Sequence, residues 1–223
     1  MIKKFDEFIN ESLYDENDGW TTTSTQEIQR QLPRKEVLKL REQFKNISDC
    51  VTAIINKDEK EIEKNLMGNR GMIVCSMPGA GLTHSIEDAI LKSNGTKDDV
   101  LTIPEDTKIT ESILYKYLYE YNNKLIVIED FERILSDNKC HSMLKNALSN
   151  GKINAPLKIK IEDELPTQFT FNGYILLTSH KRIKVLLNIY DTLLDSIQYR
   201  CKLFNIFPDE EFKNTYIDRK RNY

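Results

Sequence analysis

The order of apolar runs and glycine turns in this sequence predicts an α/β fold built on a doubly wound, mostly parallel sheet. Five short apolar runs alternate with stretches of helical periodicity, which is the pattern of repeated strand–helix units. The most apolar run, Leu125–Ile128, shows no polar alternation, as expected of a strand that is covered on both faces. The five predicted strands lie near residues 72, 100, 125, 174 and 202.

The composition is that of a globular domain without a strong electrostatic preference. Of the 223 residues, 39% are hydrophobic and 30% are charged, and the formal net charge is −3. This balance gives no overall attraction to nucleic acid or to an anionic membrane, so contact with nucleic acid needs a local basic patch. No apolar stretch has the roughly 18 residues of a membrane span and no signal peptide is recognisable, which predicts a cytoplasmic protein. The four cysteines form no C-x-x-C pair and are expected to be reduced thiols.

The predicted domain is preceded and followed by short segments. Four apolar residues among the first twelve are spaced along one helical face, so we expect a docking helix there. The threonine-rich stretch that follows has little to bury and is expected to be a linker, which together gives an N-terminal segment of residues 1–32. The folded domain is predicted to span residues 33–207. Residues 208–223 are expected to form a short polar helix or tail.

Helical periodicity fills the intervals between the predicted strands. A long amphipathic helix is expected from residue 33 to about residue 56, because its apolar residues recur at steps of three and four and a proline stands at its start. Further helices are expected over residues 58–66, 83–93, 110–121, 131–148 and 185–189. Alternating residues at 158–162 indicate one arm of a β-hairpin, with residues 168–171 as the partner.

A glycine-rich loop follows the first predicted strand and precedes a helix. This order is typical of a phosphate-binding loop, in which backbone N–H groups and the positive end of a helix converge on one point. Gly81 and Thr83 match the second glycine and the hydroxyl residue of G-x-x-x-x-G-K-[ST], whereas Ser76 replaces the first glycine and Leu82 replaces the lysine. The alternative is a tight turn that binds no ligand.

Polar side chains also follow two later strands. Glu129 and Asp130 come directly after the third strand, and Ser179 and His180 end the fourth. Ligands of doubly wound sheets bind beyond the carboxyl ends of the strands, and a magnesium–nucleotide site needs a carboxylate near the metal. The simpler interpretations are that the two acidic residues only end a strand and cap a helix, and that His180 is a satisfied strand-end histidine.

Four segments together resemble the AAA+ ATPases, in the order in which that family carries them. They are residues 76–83 for Walker A, 125–130 for Walker B, 174–180 for sensor 1 and 193–201 for the arginine finger. The resemblance extends to the small AAA-type ATP-binding proteins of tailed bacteriophages, in which a Phe-x-Gly segment similar to Phe171-Asn172-Gly173 precedes the sensor strand. It covers residues 33–207 and implies a three-layer P-loop NTPase fold with a five-stranded sheet. Because only 16 residues follow Phe207, a helical lid is expected to be absent.

The resemblance also implies a role for each matching residue. Thr83 and Glu129 would hold Mg²⁺, and Asp130 would activate the attacking water. His180, or Ser179 if the alignment slips by one, would fill the sensor position. Arg200 would reach the nucleotide of a neighbouring subunit, which implies a homo- or hetero-oligomer with other AAA+ subunits. The phosphates of ATP or ADP would lie against the backbone of Pro78, Gly79, Ala80, Gly81, Leu82 and Thr83.

The departures from the family pattern all weaken catalysis. Leu82 removes the lysine, the acidic pair is reversed, and the sensor asparagine is missing. Losing a charge-assisted hydrogen bond from lysine would cost about 1.5–3 kcal/mol of nucleotide binding, and hydrolysis would suffer more. The leading hypothesis is therefore a degenerate AAA+ ATPase-like nucleotide-binding protein of phage origin, located in the host cytoplasm, that acts as a non-hydrolysing or weakly hydrolysing subunit of an assembly.

Two alternatives to this hypothesis remain open. One is a slow Mg²⁺-dependent ATPase that uses Thr83, Glu129 and Asp130. The other is a DNA-binding or phage structural module on the same fold, which would use local basic patches. The basic residues concerned are Lys181, Arg182, Lys184, Arg219, Lys220 and Arg221.

Overall fold

The computed structural model describes residues 34–77, 80–93, 96–156 and 165–207. The helices in these ranges are α1 (Arg34–Ile55), α2 (Glu59–Leu66), α3 (Leu82–Lys92), α4 (Glu111–Glu120), α5 (Glu132–Leu135), α6 (Asn138–Leu148) and α7 (Ile183–Gln198). The strands are β1 (Gly71–Ser76), β2 (Val100–Ile103), β3 (Leu125–Ile128), β4 (Lys152–Asn154), β5 (Gln168–Thr170), β6 (Tyr174–Ser179) and β7 (Cys201–Ile206). The predicted docking helix, linker, tail and missing lid lie outside the described residues.

Five of these strands form one parallel sheet in the order β2-β3-β6-β1-β7, which confirms the predicted fold class. Each of the five predicted strands is present within two residues of its expected start. In the central pairs, Cys75 lies opposite Ser179 and Ile128 lies opposite Leu177. Because all five strands run in the same direction, their carboxyl ends meet at one edge of the sheet.

Two groups of helices pack around the sheet. Helix α1 packs against α2 and α3, whereas α6 packs against α4, α5 and α7. Strands β1 and β3 are buried along their whole length, as predicted for strands that are covered on both faces. No helix in the described ranges has the length and apolarity that crossing a bilayer requires.

The helix predicted over residues 131–148 is wrong, because the chain forms two helices there. Helix α5 ends at Leu135 and α6 begins at Asn138. Asp137 between them has an extended backbone, and its Oδ1 accepts hydrogen bonds from the N–H groups of Lys139 (2.9 Å) and Cys140 (3.0 Å). An aspartate that caps a helix start in this way ends the preceding helix.

The helix predicted over residues 185–189 is too short. Helix α7 continues to Gln198, and its buried residues Leu186, Leu194 and Ile197 form the side that packs on the protein. The backbone at Asp191 has φ 31° and ψ −114°, which interrupts the helical geometry in the middle of α7. The apolar residues nevertheless recur at steps of three and four on both sides of this kink, so the sequence pattern supports the longer helix.

Residues 168–171, one predicted arm of a β-hairpin, contain strand β5. Strand β5 pairs with β4, so that Ile153 lies opposite Phe169, whereas residues 158–162 lie outside the described ranges. The Phe169 ring makes edge contacts with Tyr115 and Tyr119 of α4, at centroid distances of 5.2 and 5.4 Å. The hairpin is therefore fixed to α4 by aromatic packing.

Gly173, the glycine of the Phe-x-Gly segment, immediately precedes β6 and packs closely against other parts of the chain. A Cβ at this position would meet the backbone oxygen of Lys124 at 2.4 Å and the Phe171 ring at 2.6 Å. The Phe171 side chain is fully buried, and its backbone oxygen accepts a hydrogen bond of 2.6 Å from Arg70. A side chain here would force the Lys124 backbone and the buried ring to shift, so packing favours glycine.

Replacing Gly173 with alanine should therefore destabilise the fold. We expect a loss of about 1–3 kcal/mol of unfolding free energy, measured by urea denaturation, because the backbone must shift to admit the methyl group. Gly68→Ala is the matched control, since Gly68 has φ +79° but no atom within 4 Å of its Cβ position. That change should cost roughly 1 kcal/mol from backbone strain alone. A smaller loss for Gly173→Ala than for the control would contradict the packing explanation.

Candidate functional site

A cleft of about 430 Å³ opens at the carboxyl edge of the sheet. Its volume lies within the range of roughly 300–1,000 Å³ found for small-molecule sites. The residues that line it come from the start of α3, the loop after β2, and the ends of β3 and β6. They are Leu82, Thr83, Pro104, Glu105, Asp106, Glu129, Thr178 and His180.

The start of α3 forms one wall of the cleft. Gly81 precedes the helix with φ +82°, a conformation that favours glycine, and no side chain caps the helix start. Leu82 and Thr83, the first two helical residues, line the cleft, so the positive end of the α3 dipole faces it. Of the other predicted loop residues, Ala80 donates its N–H to the Met77 oxygen (3.2 Å), and Pro78 and Gly79 lie outside the described residues.

Leu82, at the position of the missing lysine, packs into the protein interior. Its side chain is 6% exposed and belongs to the hydrophobic core. The residues that line the cleft include three carboxylates and one histidine but no lysine or arginine. The lysine position is therefore occupied by an apolar contact, and within the described lining no permanent positive charge replaces it.

Glu129 enters the cleft from the end of β3, and its N–H donates to the Ile103 oxygen at 3.0 Å. Burial raises the pKa of its carboxyl, and the negative charges of Glu105 and Asp130 raise it further. His180 and Arg133 act in the opposite direction but do not cancel these effects, so a cation beside the carboxylate would stabilise its charged form. Asp130 has φ +44° at the turn into α5 and lies outside the set of residues that line the cleft.

The alternation of side chains along β6 separates the two candidates for the sensor position. Thr178 and His180 line the cleft, whereas Ser179 is buried and donates its Oγ hydrogen to Glu132 Oε1 at 2.7 Å. Successive side chains of a strand point to opposite faces, so His180 and Ser179 cannot both face the ligand space. The structure thus brings His180 together with Glu129 and Thr83.

Arg200 does not share the cleft of its own chain. It immediately precedes β7, at the amino end of the parallel strands, which is the opposite edge of the sheet. Its guanidinium donates hydrogen bonds to Ser149 Oγ and to the Ser196 oxygen. Any contact between Arg200 and a nucleotide would therefore have to be made in a neighbouring subunit.

The predicted basic patch is partly engaged within the chain. Lys181 Nζ lies 3.5 Å from Glu132 Oε1, and the Arg182 guanidinium lies over the Phe207 ring, 4.7 Å from its centroid. The other predicted basic cluster, Arg219 to Arg221, lies outside the described residues. Lys181 and Arg182 therefore already have partners that a nucleic-acid contact would have to replace.

Several residues of this region were missed by the sequence reading. The sequence analysis gives no role to Thr178, which stands at the polar end of the fourth strand, or to Glu105 and Asp106, which follow Pro104 at the end of β2. The rule that ligands bind beyond strand ends could have found those two acidic residues. Ser76, at the position of the first motif glycine, is fully buried and its Oγ has no hydrogen-bond partner.

The oxygen donors of the cleft suit Mg²⁺ if another molecule supplies further ligands. Thr83 offers a hydroxyl and Glu129 a carboxylate, and hard oxygen ligands are the ones Mg²⁺ prefers. Among the described residues, no group of three or more His, Cys, Asp and Glu side chains is arranged to hold a metal ion. A magnesium ion here would therefore need the oxygens of a bound phosphate as well.

Comparison with known proteins supports the fold but names no family. No family model matches the chain, and no curated protein matches it. NtrX from Brucella abortus in complex with ADP has 11% sequence identity and a TM-score of 0.50, over 83% of this chain and 40% of that chain. NtrX in complex with ATP gives 10% and 0.48, over 82% and 40%. A DNA polymerase III gamma subunit-related protein from Thermotoga maritima gives 16% and 0.42, over 72% and 48%.

At these identities the likeness concerns the fold alone. This chain spans about two fifths of the length of the NtrX chains that it matches. What the likeness supports is the doubly wound α/β fold with flanking helices that the sequence predicted. It is carried here by the five-stranded parallel sheet, with the loop between β1 and α3 at its carboxyl edge.

The raised pKa of Glu129 predicts a pH-dependent effect of Glu129→Gln on stability. A carboxyl with a raised pKa in the folded state favours folding at low pH, and this contribution is lost as the pH rises from the ordinary glutamate value through the folded value. In the presence of EDTA, Glu129→Gln should therefore be more stable than wild type at neutral pH, measured by thermal unfolding. The difference should vanish below the ordinary glutamate pKa. A variant less stable than wild type at neutral pH would show that Glu129 has a compensating partner.

Proposed function

We propose that this protein is a degenerate AAA+ ATPase-like nucleotide-binding protein that hydrolyses ATP weakly or not at all. The observation that carries the proposal is the cleft itself, where the uncapped start of α3 faces a carboxylate at the end of β3. Backbone N–H groups at a helix start attract phosphate, and a carboxylate with a hydroxyl attracts the magnesium ion that accompanies it. The ligand is thus expected to be ATP or ADP with Mg²⁺.

In this proposal each cleft residue contacts a defined part of the ligand. The backbone from Pro78 to Thr83 would bind the phosphates, and the Thr83 hydroxyl and Glu129 would contact the metal ion. His180, with Thr178 beside it, would lie near the terminal phosphate. A bound metal would neutralise part of the phosphate charge, which otherwise would be repelled by Glu105 and Asp106.

Weak hydrolysis follows from the contacts that the cleft lacks. The family lysine places a positive charge against the transferring phosphoryl group, and Leu82 places a packed methyl group there instead. Asp130, the proposed water-activating residue, lies outside the residues that line the cleft. Both features remove stabilisation of the transition state more than of the bound nucleotide.

We further propose that the protein acts within an assembly and is phage-encoded. Arg200 lies at the edge of the sheet opposite its own cleft, which supports a role toward a neighbouring subunit. For it to act there, its contacts with Ser149 and Ser196 would have to be exchanged. The phage origin is supported by the resemblance of the Phe-x-Gly segment. Sedimentation velocity with and without Mg-ADP, on wild type and Arg200→Ala, would measure assembly.

Restoring the lysine should strengthen nucleotide binding. The aliphatic part of a lysine at position 82 can lie along the space that Leu82 fills, with the ammonium group extending to the cleft that Leu82 lines. We expect Leu82→Lys to bind Mg-ADP roughly ten- to hundredfold more tightly than wild type, measured by isothermal titration calorimetry. Leu82→Met, which keeps an apolar side chain of similar volume, should bind as wild type does.

Two outcomes of this titration would contradict the proposal. If neither wild type nor a folded Leu82→Lys protein binds Mg-ADP at millimolar concentration, the cleft is not a nucleotide site. Equal gains from lysine and methionine would show that packing, rather than charge, sets the affinity. Thermal unfolding of each variant verifies that the protein is folded.

The competing possibility, a slow ATPase, is kept because Glu129 and His180 do meet in the cleft. We expect no phosphate release from Mg-ATP above the blank for wild type, measured by malachite green over hours. Turnover that is abolished by both Glu129→Ala and Asp130→Ala would instead establish the slow enzyme. Turnover that survives both changes would indicate a contaminating ATPase. The two variants should therefore be purified and assayed in parallel with each wild-type preparation.

A further inference from the structure

The short helix α5 connects to both side walls of the cleft. Only Phe131 separates it from Glu129 and Asp130, and its first two residues are Glu132 and Arg133. We propose that these two are positioning residues, with Arg133 holding the loop after β2 and Glu132 holding the turn after β6. The inference deepens the proposed function, because these two walls carry the acidic residues and His180 of the proposed nucleotide site.

Arg133 gathers the backbone oxygens of the loop after β2. Its Nη1 donates to the oxygens of Glu105 and Thr107 (2.9 Å for Thr107), and its Nη2 donates to those of Pro104 (2.6 Å) and Ile103 (3.5 Å). Four acceptors around one planar guanidinium match the fork of donors that only arginine provides. The Arg133 side chain is half-buried, so these bonds are partly shielded from water.

This loop forms the acidic wall of the cleft. Pro104, Glu105 and Asp106 all line the cleft, and the loop is also closed by a backbone bond from the Thr107 N–H to the Pro104 oxygen (3.1 Å). Without Arg133, the oxygens of Ile103 and Pro104 would keep the N–H groups of Glu129 and Thr107 as partners, whereas those of Glu105 and Thr107 would lose the guanidinium and turn to water. Arg133 thus sets how close the two carboxylates of this loop come to Glu129.

Glu132 fixes the opposite wall from inside the protein. Its side chain is buried, and Oε1 accepts the hydrogen bond from Ser179 Oγ (2.7 Å) and lies 3.5 Å from Lys181 Nζ. The Lys181 N–H in turn donates to Ser179 Oγ at 3.0 Å. His180 stands between these two anchored residues, so the turn that carries it is held on both sides.

Stability alone does not explain Glu132. Its second oxygen, Oε2, has no hydrogen-bond partner, and burying a carboxylate without full satisfaction is unfavourable. An apolar side chain would fill the same space without leaving an unpaired oxygen. The position is better explained by the bond to Ser179, which fixes the direction of the strand end and therefore of His180.

Spin labels on the two walls would test the inference in the absence of nucleotide. The four native cysteines are buried, and burial raises the pKa to about 11 for Cys50 and about 12 for Cys75, Cys140 and Cys201. They should therefore react little at neutral pH, so that a cysteine introduced at an exposed position is labelled selectively. Asp106→Cys reports the loop after β2, and His180→Cys reports the turn after β6.

The two walls should respond independently. Arg133→Met should add a mobile component to the spectrum of the label at position 106 and leave the label at 180 unchanged. Glu132→Met should do the reverse. Arg133→Lys should behave like Arg133→Met, because one ammonium group cannot serve four separated oxygens, whereas Glu132→Gln should keep the Ser179 contact and the wild-type spectrum.

Other outcomes would overturn the inference. Mobility gained at both positions in both methionine variants would indicate general loosening of the fold, and no change at either position would show that the contacts do not hold the walls. If Arg133→Met fails to fold, Arg133→Lys replaces it and is read with the label at position 106. If Glu132→Met fails to fold, Ser179→Ala replaces it and is read with the label at position 180. Because the spectra need no nucleotide, they decide the matter even if Mg-ADP titration shows that the proposed function is wrong.

Discussion

The pairing of β3 with its neighbours on both sides is the constraint on which the cleft depends. The parallel register places Ile128 opposite Ile103 of β2 and opposite Leu177 of β6. The backbone bonds continue just beyond the strands, from the Glu129 N–H to the Ile103 oxygen and from the Phe131 N–H to the Thr178 oxygen. Glu129 is therefore held between two strand ends, and the loops that leave those ends must form the walls beside it.

The position of α5, the helix that follows β3, is set by the same pairing of β3 with β2 and β6. Since α5 begins immediately after the last of these backbone bonds, Glu132 and Arg133 are brought to the two strand ends without any long connection. The positive φ of Asp130 makes the sharp turn from strand to helix possible, at a backbone cost that aspartate tolerates better than most residues. A sheet of this kind thus determines which residues meet, while the short helix determines how firmly their loops are held.

The sequence predicted the fold class and the five strands of the sheet well, because an apolar run and the turn that ends it are local features. An unbroken apolar run such as Leu125–Ile128 shows both a strand and its burial, and the polar residues that end it follow directly in the chain. The features that the sequence does not indicate depend on distant partners. Strand β5 pairs with β4 and packs on α4 through Phe169, and nothing within residues 168–171 indicates that choice. Likewise, Arg133 looks like an ordinary helical charge until the loop after β2 is placed beside it.

The negative charge of the cleft affects which form of a nucleotide could bind at the proposed site. Glu105, Asp106 and Glu129 surround a space that contains the positive end of α3 but, within the described lining, no lysine or arginine. A helix start contributes about half a positive elementary charge. This is less than the combined negative charge of the three carboxylates. A free polyphosphate would therefore be repelled, whereas its magnesium complex brings the missing positive charge with it. In the proposed nucleotide site, the metal ion would therefore supply the positive charge that Leu82 cannot, and affinity should depend on magnesium more steeply than in a site that retains the lysine.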